Sequence, residues 1–276
     1  MKNQFIFDGL TSTIALISLV HNENELGSIP VIAQILCYVW TSRSVFWFLV
    51  MLSSTNLVCI AVDRLRAIVF SSSYKQYEQA SIISYYIFIF LYSFLNAIPS
   101  FFTVRYEKED CWYMYELASQ TQDYRRQLCS AYFWLVGSYI LPSMAMTICH
   151  VKVVLCLRKV TLYANDSKTG TIQHSHSGSS SNTNQMQTSI FIPTVLMCSA
   201  FLISHAYRTI YYILYSHQMI PFNWDSMERR LSIFLTIANS AVNPLIMVVS
   251  SPPFRRHLWH FLTCKQDSKK PSTQLS

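Results

Sequence analysis

Two arginines within long apolar runs are the clearest candidates in this sequence for a chemical role. Arg43 and Arg208 each lie in a hydrophobic segment, where a guanidinium can hold a carboxylate or amide carbonyls through paired hydrogen bonds. Structural alternatives stay open, because Arg43 can extend to an outer membrane interface and Arg208 can pair with Glu228. The pattern predicts recognition of an anionic or carbonyl-rich molecule.

Other chemistry finds little support in the residue pattern. No nucleophile motif, HExxH pair or pair of aspartates within an apolar run occurs, and the histidines lack the spacing of metal ligands. We therefore expect no enzyme, no metal site and no cofactor. The net charge of +7 could suit nucleic acid, but the basic residues lie mainly at the ends of apolar runs, as a membrane would place them.

The elements that must position these arginines are long enough to cross a bilayer. The chain has 276 residues, of which 51% are hydrophobic and only 13% charged, about half the charged share of a soluble domain. Runs of about 20 apolar residues match a hydrocarbon core of roughly 30 Å. We predict an all-α membrane protein with six transmembrane helices, near residues 5–20, 31–62, 81–104, 131–157, 188–215 and 231–249.

The distribution of positive charge predicts the orientation of these helices. Of the 21 lysines and arginines, thirteen fall on the face that carries both termini and eight on the other. Because cytoplasmic loops carry an excess of Lys and Arg, both termini are expected in the cytosol. The polar composition of residues 161–187 predicts a flexible cytoplasmic loop within the transmembrane bundle, which spans residues 1–250.

The C-terminal residues are expected to lie at the membrane surface. Residues 251–264 place apolar side chains on one helix face and Arg255 and Arg256 on another, which predicts an amphipathic helix. Cys264, the last residue of this segment, is a predicted palmitoylation site. Residues 265–276 are expected to be a disordered tail.

Two short motifs combine polar residues with apolar helices. Asp63-Arg64-Leu65 ends the long second run, where the carboxylate can hold the guanidinium near interfacial water. The last run carries Asn239 and Asn243-Pro244, where proline interrupts the helical hydrogen bonds and asparagine side chains can satisfy the freed carbonyls. Taken singly, these motifs are explained by snorkelling and by a packing kink.

In order and spacing, these residues resemble the rhodopsin-like (class A) G-protein-coupled receptors. Asp63-Arg64-Leu65 matches the family's Asp-Arg-Tyr triplet, residues 243–247 match Asn-Pro-x-x-Tyr, and Pro142 stands where the family has its fifth-helix proline. The resemblance implies a plasma-membrane receptor that binds an extracellular ligand, most simply a peptide, and activates a heterotrimeric G protein. It also implies that the six runs match family helices two to seven, so that the first family helix is absent.

The resemblance further assigns roles to single residues. Phe46 stands where amine receptors have an aspartate, so a monoamine would lack its counter-ion. The family's ligand region would contain the two arginines together with four neighbours: Phe46, Trp47, His205 and Tyr211. Counting from Asn3, the family's sodium-binding carboxylate falls near Thr13, so we expect that charge to be missing, while Ser53, Asn239 and Asn243 match its partners in the family.

Two cysteines match the family's extracellular disulfide. The resemblance implies a bond between Cys37 and Cys111, and Cys129 stays open as an alternative partner. The alternative matters because Cys37 precedes Arg64 by 27 residues, about two more than the family usually has.

A non-signalling receptor remnant is the main alternative function. The family's sixth-helix Cys-Trp-x-Pro pattern aligns with residues 204–207, where neither the tryptophan nor the proline is kept. The tyrosines of helices five and seven are replaced by His150 and Met247. A six-span transporter is weaker still, because no polar pore residues or inverted repeats are visible.

Overall fold

The computed structural model describes residues 2–20, 30–70, 74, 76, 78–107, 110–113, 121–169, 178–220, 226–250, 255 and 259. The α-helices of these parts are α1 (Lys2–Val20), α2 (Pro30–Leu36), α3 (Ser44–Val69), α4 (Glu78–Phe101), α5 (Thr121–Trp134), α6 (Leu141–Thr169), α7 (Gly178–Ser216) and α8 (Met227–Ser250). Two π-helical turns, Cys37–Thr41 and Leu135–Ile140, continue α2 and α5. Each long apolar run of the sequence is therefore helical.

Four of the described helical stretches are long and apolar enough to cross a membrane. They are Pro30–Val69, Glu78–Phe101, Tyr124–Lys159 and Met227–Ser250. α1 and α7 lie where two more crossings are predicted and are not among these four. The helical bundle is confirmed, whereas the count of six transmembrane helices stays a prediction.

A small sheet corrects the expectation of an all-α fold. Strands β1 (Val104–Glu107) and β2 (Asp110–Tyr113) pair antiparallel, with Tyr106 opposite Cys111. The strands lie in the polar segment after α4, where the sequence places Val104, Tyr106, Trp112 and Tyr113, residue types that favour strands. Their short length and polar surroundings gave no alternating pattern long enough to predict a hairpin.

The helices also extend into the predicted loop at residues 161–187. α6 continues to Thr169 and α7 begins at Gly178, so both ends of that segment are helical. Polar composition excludes a buried core there, but it does not exclude helix, because helical hydrogen bonds lie within the segment itself.

Several predicted segments lie outside the described residues. They are residues 170–177, most of the amphipathic segment 251–264 including Cys264, and the tail 265–276. Arg255 and Trp259 are helical and exposed.

Two helices, α4 and α8, bury mainly small and polar side chains and turn most of their large apolar ones outward. On α4 the buried positions include Ser93, Asn96 and Ala97, whereas Phe90 and Phe94 are about half exposed. α8 repeats the arrangement, with Asn239 and other polar side chains on its buried face. This inside-out pattern is typical of membrane helices, which pack through small and polar residues while lipid covers their apolar surface.

An apolar cluster fills the bundle beside the Asp63 end of α3. Leu57 of α3, Met146 of α6, Phe201 of α7 and Met247 of α8 are each at most 5% exposed and pack together. Burying such side chains stabilises helix packing by close van der Waals contact. The cluster therefore joins α3 to α6, α7 and α8.

Candidate functional site

A buried carboxylate connects three helices in the interior of the bundle. Asp8 of α1 is 1% exposed, and the Ser53 hydroxyl of α3 donates a hydrogen bond to its Oδ1 atom at 2.6 Å. Asn243 of α8 donates to Oδ2 at 2.9 Å. The Gln4 amide, one turn before Asp8, donates to the two carboxylate oxygens at 3.1 and 3.0 Å. The carboxylate therefore ties α1 to α3 and α8.

The position of this carboxylate corrects the expectation that it is missing. Thr13, the position reached by counting from Asn3, is exposed and donates to the Gly9 carbonyl of its own helix at 2.8 Å. Asp8 lies five residues earlier, about 140° around the helix axis. Counting assumes a fixed starting residue, whereas packing decides which helix face turns inward. The buried face of α1 consists of Gln4, Phe7, Asp8, Thr11 and Ala15.

Asn243 also has a different partner from the one expected. Its side-chain amide was predicted to satisfy a carbonyl freed by Pro244, but its Nδ2 atom donates to Asp8. α8 continues through Pro244 to Ser250. A carboxylate is a stronger acceptor than a backbone carbonyl, which accounts for the amide turning toward α1.

The disulfide joins Cys37 to Cys111, as the resemblance implied. Their Cα atoms are 5.6 Å apart, and Cys129 is an exposed free thiol. Cys37 opens the π-helical turn that ends at Thr41, and Arg43 follows with a left-handed backbone, φ 55°. A π-helical turn accommodates an inserted residue. The turn and the break at Arg43 thus absorb the extra residues between Cys37 and the Asp63-Arg64 pair.

A cavity of about 1160 Å³ opens at the end of the bundle that carries the β1–β2 hairpin. Five arginines line it, and none of the described lining residues is an aspartate or a glutamate. They are Arg43, Arg105, Arg126, Arg208 and Arg229. Arg105 forms an ion pair with Glu107 at 2.7 Å. The lining is therefore strongly cationic, which favours an anionic ligand.

Arg208 is the most deeply placed of these cations. It is 8% exposed, and its guanidinium carbon lies 4.8 Å from the ring centroid of Trp47 and 5.3 Å from that of Trp134. Its Nη2 atom donates to Ser138 at 3.4 Å, and its buried Nε atom has no hydrogen-bond partner in the described structure. Glu228 is exposed and makes no ion pair with it. Two indole rings hold the guanidinium in place of a carboxylate.

The cavity includes four of the six residues expected around a ligand. Arg43, Trp47, Arg208 and Tyr211 line it. Phe46 and His205 do not.

The core holds these two side chains instead. Phe46 packs with Ala15 and Val50, and His205 stacks on Phe201 with ring centroids 4.2 Å apart. Phe46 lies about 100° around α3 from the cavity residue Trp47, whereas His205 lies on nearly the same face of α7 as Arg208 but one turn further from the cavity.

Sequence reasoning missed several lining residues. Arg105, Arg126 and Arg229 border the cavity although they lie outside the apolar runs or at their ends. The sequence pattern that could have identified them is their membrane face, because all three belong to the eight basic residues on the face opposite the termini. Trp134 gave no signal, since one aromatic residue in an apolar run is indistinguishable from a core residue.

At the opposite end of α3, Asp63 and Arg64 contact each other. Arg64 Nη2 lies 2.5 Å from Asp63 Oδ2, and both side chains are about one quarter exposed. The Tyr74 hydroxyl donates to the other carboxylate oxygen at 3.1 Å. Burial and the neighbouring Asp63 charge raise the pKa of Tyr74, so this phenol stays protonated and able to donate at neutral pH. The pair is held near the surface, as expected.

Comparison with known proteins identifies similar sequences and folds. A family model described as 7 transmembrane receptor (rhodopsin family) matches residues 7–247. The crystal structure of squid rhodopsin is similar with a TM-score of 0.60 and 18% sequence identity, over 97% of this chain and 88% of that chain. This likeness establishes a shared fold. No curated protein matches the chain.

Proposed function

The chain belongs to the rhodopsin family of seven-transmembrane receptors, which are not enzymes, and from this premise we propose that it is a plasma-membrane receptor for an anionic peptide. The proposal includes activation of a heterotrimeric G protein at the Asp63-Arg64 end of α3. It also includes six membrane crossings, with both termini in the cytosol and Cys264 as a lipid anchor.

The observation that carries the ligand class is the cationic lining of the cavity. The described lining carries five arginines and no acidic residue, and Arg105 is paired with Glu107 beside it, so a ligand carboxylate would supply the negative charge that the described lining lacks. Arg208 is buried against two tryptophans, so its interaction with an anion would be little screened by water. Guanidinium groups bind carboxylates bidentately, which adds geometric specificity.

The size and the lining of the cavity suit a short peptide segment. Small-molecule pockets typically enclose about 300–1,000 Å³, and this cavity has about 1160 Å³. Tyr38, Trp47, Tyr211 and Tyr212 supply aromatic surface, while Ser138 and Thr209 supply hydroxyls. Such a lining suits apolar side chains and peptide carbonyls beside an anchored carboxylate.

Replacing Arg208 with glutamine is expected to lower peptide affinity about 10- to 100-fold, because losing a charge-assisted hydrogen bond costs roughly 1.5–3 kcal/mol. Short peptides in free-carboxylate and amidated forms are screened for binding to the wild type. The strongest binders are then titrated against Arg208→Gln, Arg43→Gln and the control Arg125→Gln. Arg125 is exposed and does not line the cavity.

The paired peptides separate the charge from the rest of the ligand. The wild type should prefer the free carboxylate, and Arg208→Gln should lose that preference while Arg125→Gln keeps it. Equal affinities of the wild type, Arg43→Gln and Arg208→Gln for every bound peptide would contradict the proposal.

Replacing Arg64 with alanine is expected to abolish G-protein activation while leaving expression close to the wild-type level. The side chain is partly exposed, so its loss costs little folding free energy. Guanine-nucleotide exchange by reconstituted heterotrimers is measured with the tightest peptide of the screen, at matched amounts of folded receptor.

Arg66→Ala is the matched control for this experiment. Arg66 is also partly exposed and hydrogen bonds to Ser81 and Tyr85 of α4, so its replacement should leave exchange per receptor unchanged. Exchange that is undiminished in Arg64→Ala would exclude a coupling role for this residue. Absence of exchange in the wild type, with peptide bound, would favour the non-signalling alternative.

A further inference from the structure

Donor groups surround the Asp8 carboxylate. A carboxylate offers about four lone-pair sites. Oδ1 accepts from Ser53 and Oδ2 accepts from Asn243, while Gln4 Nε2 lies within hydrogen-bond distance of both oxygens. The amide has only two N–H groups and also contacts Ser53 Oγ, so one N–H is shared between the two carboxylate oxygens.

The surrounding network fixes the orientation of that amide. Gln4 Nε2 also donates to Ser53 Oγ at 2.7 Å, and Gln4 Oε1 accepts a hydrogen bond from Asn56 Nδ2 at 2.7 Å. Rotating the amide by 180° would set its oxygen against the carboxylate and its nitrogen against the Asn56 nitrogen. Gln4 is 1% exposed, so no surface water is at hand to accommodate such a reversal. The amide nitrogen therefore faces Asp8.

The residues around Asp8 do not fit a bound cation in this arrangement. A cation requires oxygen lone pairs, and Asn243 and Gln4 present N–H groups to the carboxylate. Two possible ligands remain unused, because the side-chain oxygens of Asn239 and Asn243 are buried without a hydrogen-bond partner in the described residues. Amide oxygens can ligate hard cations, but without access to the carboxylate they lack the balancing charge.

We propose that the Gln4 side-chain amide takes the place of the sodium ion at this carboxylate, so that the folded bundle is stabilised independently of sodium. The amide nitrogen lies 3.1 and 3.0 Å from the two carboxylate oxygens, on the same helix and one turn away. Gln4 thus decides whether the Asp8 site admits a cation. Replacing it with leucine frees one acceptor site on each carboxylate oxygen, beside the unpaired oxygens of Asn239 and Asn243.

Thermal unfolding of the full-length chain in sodium chloride and in choline chloride, at equal ionic strength, tests this proposal. The wild type should have the same Tm in both salts. Gln4→Leu should have a Tm about 3–6 °C higher in sodium chloride, the shift expected for an ion at roughly ten times its Kd. The double variant Gln4→Leu/Asp8→Asn should lose that difference, because the carboxylate is gone.

Each outcome of these measurements decides the proposal. A sodium-specific rise in the wild-type Tm that Asp8→Asn removes would show that the ion binds despite Gln4, and would overturn it. Equal Tm values of Gln4→Leu in the two salts would show that Gln4 is not what excludes sodium. If Gln4→Leu does not fold, Gln4→Ala provides the same comparison, and the sodium response of the wild type alone can still refute the proposal.

Discussion

Replacing Asp8 with alanine is expected to lower the free energy of unfolding by roughly 3 kcal/mol or more. Three buried donors lose their acceptor, and each unsatisfied group costs about 1–3 kcal/mol. The donors lie on three helices, namely Gln4 Nε2, the Ser53 hydroxyl and Asn243 Nδ2. A loss of this size is a large share of the roughly 5–15 kcal/mol that stabilises a typical protein.

Thermal unfolding followed by tryptophan fluorescence measures this effect. For a chain of this size the Tm should fall by about 6–12 °C. Thr13→Ala is the matched control, because Thr13 is exposed on the same helix and hydrogen bonds to a backbone carbonyl of that helix. Its Tm should stay within about 2 °C of the wild type. Equal losses in the two variants would refute the assignment of Asp8 to the buried face.

Breaking the Cys37–Cys111 bond is expected to destabilise the protein by about 2–5 kcal/mol. The two cysteines are 74 residues apart in sequence, and a closed loop of that length strongly restricts the unfolded chain. The bond also ties strand β2 to the π-helical turn, while Val104 and Arg105 of β1 border the cavity. Peptide binding should therefore weaken together with stability.

The two single variants and the double variant identify the bond. Cys37→Ala, Cys111→Ala and the double variant should lose the same amount of folded surface protein, because each loses the same link. Cys129→Ala should behave as the wild type, since its thiol is free and exposed. Full surface expression of Cys111→Ala, or a loss confined to Cys129→Ala, would contradict this pairing.

The sequence alone determined where the apolar helices lie. Apolar runs of sufficient length must be helical in a membrane, because backbone groups there require partners within the same segment. The same local information located the Asp63-Arg64 pair at the end of α3. Family resemblance then singled out Cys37 and Cys111 among eight cysteines. None of these conclusions depends on which face of a helix points into the bundle.

The tertiary structure decided which face of each helix points inward. In a soluble helix an apolar stripe marks the buried face, but here lipid-facing residues such as Phe94 are also apolar, so the stripe is lost. Asp8 enters the core because Ser53 and Asn243, distant in sequence, supply its hydrogen bonds. Similarly, Trp47 of α3 borders the cavity while Phe46, about 100° around the same helix, packs with Ala15 of α1. The rotation of each helix about its axis depends on partners on other helices, and the sequence pattern of a single helix does not identify those partners.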